Sequence, residues 1–183
     1  VNWFYQKGAD QFYPEYWADF IAPVNPEKRS NMIAAYHELL TSNNEVARMR
    51  AAEAWSVWEG RTSNLETDPN TVNHFGEPFH ALAMARIECH YFQHQAFIES
   101  NQIINNAPAI AHLPISIIHG RYDMVCPVNQ AFELHEALPN SKLIFFKKSL
   151  SPPNFNNNNN IFICDYRGLI SKCTTLQVRE CFL

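Results

Sequence analysis

The stretch from Ile115 to Pro127, I-S-I-I-H-G-R-Y-D-M-V-C-P, restricts the possible fold of this chain more than any other. Ile115, Ile117 and Ile118 form a short β-branched run with almost no polar relief, the pattern of a strand covered on both faces, as in a parallel sheet. The run stops at Gly120. Parallel strands need a crossover, and the sequence supplies one. Asn129 to Leu138 reads as a helix with Ala131, Phe132, Leu134 and Leu138 apolar, Pro139-Asn-Ser141 turns the chain, and Lys142 to Phe146 reads as a second strand. The fold class of this part is α/β.

Asp123 falls in the loop just past the carboxyl end of the first strand, where open α/β sheets place groups that meet ligands. A carboxylate there suits two jobs. It can form a turn or cap the next helix. It can also hold the histidine of a Ser/His/Asp hydrolase in its working tautomer and stabilise the imidazolium that forms.

The chain ahead of this strand reads as helical. Trp3, Phe4, Tyr5, Phe12, Tyr13, Tyr16, Trp17 and Phe20 form an aromatic density that requires burial. Pro14 suits the first turn of a helix running to about Ile21. Pro26 suits a second, with Met32, Ile33, Tyr36, Leu39 and Leu40 at helical spacing. Ser42-Asn-Asn-Glu45 is a capping-box pattern for a third helix, with Gly60 as its stop and Val46, Met49, Ala52, Trp55 and Trp58 as its apolar face. Residues 61 to 77 read as a loop with turns, and a fourth helix is expected from Pro78 to about Ser100. Residues 101 to 114 read as a polar connector.

Two carboxylates stand out in these helices. Glu59 is an anion in a last helical turn, which the macrodipole penalises by ~0.3–1 kcal/mol. It is either a solvated helix end that tolerates the penalty or a group held there for a purpose. Glu88 has Met84, Ala85, Tyr91 and Phe92 three and four positions away, so it projects from an apolar face and is costly there unless paired. Arg86 or Arg48 is a candidate internal partner. His90 and His94, spaced i, i+4 beside Cys89, invite a metal reading, but no acidic residue adjoins them and no third ligand is marked, so no metal is expected.

Composition excludes several classes. With 46% hydrophobic and 17% charged residues the chain is not disordered overall, and its net charge of −4 comes with scattered Lys and Arg. Nothing suggests nucleic acid or a membrane surface, and no apolar run approaches the ~20 residues of a membrane span. Five cysteines without regular spacing or a CxxC pair predict reduced thiols and a cytoplasmic location. The first residue is Val, so the true amino terminus and any targeting signal are expected to lie outside this sequence.

HGRYDMVCP, together with AWSVWEG (Ala54 to Gly60), ARIECHYF (Ala85 to Phe92) and the opening WFYQKGADQFYP, resembles the proline iminopeptidase family of α/β-hydrolases. The likeness covers roughly residues 1 to 146 and only the family's second half. It implies a fragment of an α/β-hydrolase, with a helical cap over residues 1–108, the C-terminal part of the hydrolase core over 109–147 and a divergent low-complexity tail over 148–183. It also implies a serine aminopeptidase acting on peptides with N-terminal proline, without a cofactor. The secondary ammonium of a terminal proline offers two N–H donors and calls for carboxylate acceptors. Glu59 and Glu88 match the glutamates the family uses for this, and Phe92 matches an aromatic lining the pyrrolidine pocket, although alone it reads as core. Asp123 would orient the catalytic histidine. Cys126 matches a cysteine near the active centre, a thiol open to reagents or a buried spectator. Two other readings stay open. One is another capped α/β-hydrolase, an epoxide hydrolase or esterase; the other is a non-catalytic remnant that binds peptide amino termini or a partner. Oligomeric state is not legible.

After Phe146 the likeness ends. Where the family carries a Gly-His loop with the general base, this chain reads K-K-S-L-S-P-P-N-F before a run of five asparagines, and its last histidine is His135. The family's serine elbow lies upstream of Val1. The expectation is a truncated or misassembled product with a tail, Ile161 to Leu183, that lacks usable periodicity, and a two-stranded sheet without its neighbours. Loss of single triad members already slows such enzymes ~10⁴-fold or more. The purified 183-residue chain is expected to release no naphthylamine from proline-naphthylamide above background; enzyme-like turnover would refute this.

Overall fold

The residues that open each helix explain the architecture of the first part of the chain. A short helix, α1 (Asn2–Tyr5), is followed by α2 (Pro14–Ile21), which begins at the predicted proline. Pro26 opens only a 3₁₀ turn, and α3 (Met32–Thr41) starts afresh where the Asn31 side chain accepts a hydrogen bond from the Ala34 amide. The helix α4 (Glu45–Thr62) is capped by Asn44, whose side chain accepts from Ala47 N, rather than by Ser42. It also runs past Gly60, the expected stop. Asp68-Pro69-Asn70, read as a turn, is instead the cap and first residues of a helix, α5 (Pro69–Phe75), with the Asp68 carboxylate accepting from Asn70 N and Thr71 N. The helix α6 (Pro78–Gln93) ends earlier than expected, because Gln95, Ala96 and Phe97 all take positive φ and cannot continue it.

These helices form a unit running to Phe97, with the next unit beginning at Ile98. The computed structural model describes residues 1–146 and, as backbone, 161–165. In the first unit α4 is the central helix, packed by α2, α3, α5 and α6. Its C-terminal half is buried nearly all round, through Ala51, Ala52, Trp55, Ser56, Trp58, Glu59, Gly60 and Thr62. Val46, assigned to the apolar face, is exposed. Of the aromatic opening Phe4, Tyr5 and Phe20 are buried, Trp3, Tyr13, Tyr16 and Trp17 are partly buried, and Phe12 is exposed. Phe20 stacks on Tyr36 at 4.8 Å and lies 5.6 Å from Trp58, while Phe4 packs on Trp58 at 5.2 Å.

The second unit contains α7 (Gln102–Asn106), β1 (Ile115–Gly120), α8 (Val128–Ala137), β2 (Lys142–Phe146) and β3 (Ile161–Asp165). The sheet order is β2-β1-β3 and both pairings are parallel, Ile117 facing Leu143 on one side and Ile163 on the other. This is the α/β arrangement expected from Ile115 to Phe146. The third strand is a correction, since Ile161–Asp165 falls in the stretch that showed no usable periodicity. Ile115 and Ile117 pack with Ala107, Ala131 and Leu138 into one core. Ala107 belongs to the stretch read as a polar connector, so this unit starts ahead of the 108/109 boundary drawn from the sequence. The remainder of the proposed tail, 147–160 and 166–183, lies outside the described residues, and with it the loop where the family's general base was sought.

Gly60 marks a close approach. A Cβ at this position would stand 2.9 Å from Phe75 Cβ and 3.0 Å from Phe75 Cγ, so α5 crosses α4 where only glycine leaves room. Contact that close puts the overpacking cost at about 2–3 kcal/mol, the upper part of the usual range, which outweighs the gain of about 1 kcal/mol that alanine brings to a helix interior. Gly60→Ala is expected to lower the urea midpoint by a net destabilisation of about 1–2 kcal/mol; an unchanged or raised midpoint would show that α5 yields without strain.

Candidate functional site

Helical spacing builds the site in the first unit. Trp55 and Glu59 are one turn apart on α4, and Glu88 and Phe92 are one turn apart on α6, so each pair shares a face of its helix. α4 and α6 pack along each other. Across their seam the Trp55 indole Nε1–H donates to Glu88 Oε2 at 3.0 Å. Tyr5, from α1, stacks on Trp55 with ring centroids 4.3 Å apart and planes 18° apart, and its hydroxyl donates to Glu59 Oε1. Phe92 closes the group, 5.1 Å from the Tyr5 ring and 6.1 Å from Trp55.

One aromatic stack therefore serves both acidic residues singled out in the sequence, and Phe92 lies against it. Burial separates their roles. Glu59 is fully enclosed at 0% exposure and Phe92 retains 8%, while Glu88 is half-buried. Glu88 is the member that solvent reaches first. The Tyr5 phenol and the Trp55 indole are neutral donors, so these two hydrogen bonds orient the carboxylates without adding a positive charge.

Sequence reasoning did not identify Tyr5 and Trp55 as part of the site. Trp55 carried a signal, since it lies one helical turn before Glu59, but it was absorbed into the apolar face of α4. Nothing in the sequence ties Tyr5 to a residue 54 positions away.

Beside this group the Cys89 thiol is buried and contacts the Ile33 carbonyl oxygen at 3.5 Å. Burial, then the charge of neighbouring Glu88, pushes its pKa up from 9.0 to about 12. Among the described residues no cluster of histidine, cysteine or acidic side chains is arranged to hold a metal.

The second unit holds the other two predicted residues. Asp123 follows β1 as expected, and its Oδ1 accepts from the amides of Val125 and Cys126, both at 2.9 Å. That is the turn-forming role. It does not exclude the other, because a carboxylate offers about four acceptor positions over two oxygens. Cys126 requires a correction. It is disulfide-bonded, so it is not the free near-site thiol inferred from the sequence, and its partner's side chain lies outside the described residues. Among the described residues no helix is long and apolar enough to cross a membrane.

No family model matches the chain. Individual relatives do. A protein from Leptolyngbya boryana named "Probable proline iminopeptidase" is 49% identical over 145 residues, which is 79% of this chain and 45% of that protein. A Xylella fastidiosa protein named "Proline iminopeptidase" is 45% identical over 78% of this chain and 46% of its own length. An Arabidopsis thaliana protein of the same name is 37% identical over 78% of this chain and 38% of its own length. The chain thus spans less than half the length of these curated relatives.

The raised thiol pKa fixes a pH window. A proton held more tightly in the folded state contributes stability that is fully present below the unfolded value of 9.0 and is lost as pH rises toward about 12. Wild-type stability to urea is expected to fall across that window more steeply than that of Cys89→Ala. Equal slopes would show that Cys89 does not carry the effect.

Proposed function

Since the chain belongs to the proline iminopeptidase family over the stretch it shares with these relatives, we propose that it carries the substrate-recognition part of a serine-type prolyl aminopeptidase. The first unit corresponds to the helical cap of an α/β-hydrolase, and β1, α8 and β2 to the end of its catalytic sheet. The observation that carries this reading is the convergence of Glu59 and Glu88 on the Tyr5–Trp55 stack, with Phe92 beside it.

The chemistry runs as follows. A peptide with proline at its amino end presents a ring carrying a secondary ammonium with two N–H donors. Glu88, reachable from solvent, meets the cation first, and Glu59 behind it supplies a second negative charge. In a site walled by aromatic rings those charges act with little screening, so they draw the amino terminus to one fixed place. Phe92, Tyr5 and Trp55 offer flat apolar surface to the pyrrolidine ring. The scissile carbonyl, one residue along, is thereby held at a set distance from the anchored nitrogen, which is how an aminopeptidase counts one residue from the end.

In the same reading Asp123 orients the histidine of the triad. Its loop suits the task, because two backbone amides fix the carboxylate in place. Substrates are peptides with N-terminal proline; nucleic acid and membranes have no part. Epoxide hydrolases and esterases, which take neutral substrates, have no use for two acidic residues on one aromatic stack.

Calorimetry with prolinamide tests the recognition step without requiring turnover. The wild-type chain is expected to bind prolinamide and not its N-acetyl derivative, which lacks the cation. Glu88→Gln removes one charge partner of a desolvated ion, an effect of about 2 kcal/mol or more, or roughly thirtyfold in affinity. Equal affinity of wild type and Glu88→Gln would overturn the assignment.

A further inference from the structure

We propose that Trp55 is a positioning residue for ammonium recognition: its indole N–H sets the orientation of Glu88, and its ring, stacked with Tyr5, couples that orientation to the hydroxyl that holds Glu59. The proposal rests on the aminopeptidase reading of the two glutamates and adds what keeps them in register.

Three observations carry it. Trp55 is completely enclosed, so its N–H must find an acceptor inside the protein, and the acceptor is the half-buried carboxylate across the α4–α6 seam. An indole is a donor only and carries no charge, so its hydrogen bond orients the carboxylate without itself neutralising its charge. An arginine in that place would cancel it. Finally, the near-parallel stack with Tyr5 at 4.3 Å ties the two donors into one rigid body, because neither ring can turn without displacing the other.

The physical need is clear from the side chains. A glutamate is long and rotamer-rich, and ordering it only when ligand arrives would consume free energy that otherwise appears as affinity. Trp55 and Tyr5 order both carboxylates in advance. Glu59 lies one turn beyond Trp55 on the same helix, so a single segment of α4 sets the position of one acid directly and of the other through the indole.

The test uses the full chain and two ring-matched probes, prolinamide, which carries the ammonium, and cyclopentanecarboxamide, which does not. Trp55→Phe keeps a stacking ring and removes only the N–H donor. Its expected result is about tenfold weaker prolinamide binding, the worth of one hydrogen bond to a charged group, with cyclopentanecarboxamide binding unchanged. Unchanged prolinamide affinity overturns the proposal. So does equal weakening of both probes, which would make Trp55 a packing residue only. A wild-type chain that binds no prolinamide removes the aminopeptidase reading itself, and this inference falls with it. Should Trp55→Phe fail to fold, the assigned Trp55 indole ¹⁵N–¹H resonance of the wild type gives the answer. It is expected to move on adding prolinamide and to become indifferent to it in Glu88→Gln; a wild-type resonance that ignores prolinamide sinks the idea.

Discussion

The seam between α4 and α6 is the constraint on which the first unit depends. A carboxylate as enclosed as Glu59 is tolerated in a protein interior only when donors meet it, and leaving it unmet costs several kcal/mol. The Tyr5 hydroxyl is one such donor, and it reaches Glu59 because the aromatic opening of the chain folds over the seam. Tyr5 is therefore a core residue by packing and a candidate site residue by position. Trp55 does the same from the other side, filling the seam with its ring and directing its N–H at Glu88. The residues that close this seam are thus the same ones that hold its two acidic side chains.

How much of this was legible in the sequence differs by element, and the differences have physical causes. β1, α8 and β2 were placed within a residue or so, because a β-branched run, an amphipathic turn pattern and a second apolar run are local signals that tertiary packing reinforces. Pro14 fixed the start of α2 for the same reason. α5 was missed because Asp68-Pro69-Asn70 suits a turn and a helix start equally well, and only the side-chain hydrogen bonds of Asp68 decide between them. The end of α6 was missed because Gln95, Ala96 and Phe97 adopt left-handed backbone with nothing glycine-like to announce it. Gly60 was misread since its requirement comes from Phe75, a residue on another helix.

The candidate site was legible in its acids and not in its donors. Glu59 and Glu88 stood out as charges in unfavourable places, a signal each residue carries by itself. Tyr5 and Trp55 are ordinary aromatic residues until the fold brings their polar ends to those charges. Cys126 shows the converse. Its match to a family position suggested a free thiol, but the bonding state of a cysteine depends on what lies across from it, which spacing alone did not reveal.

The order of the sheet has a consequence for how the chain is made. β1 is flanked by β2 and β3, and both neighbours follow it in the sequence. A ribosome delivers β1 before both of these partners, so its pairing with them is complete only once translation has passed Asp165. Until then the β1 backbone groups that these two strands satisfy need other partners, and a strand left waiting for its pair is open to pairing with another chain.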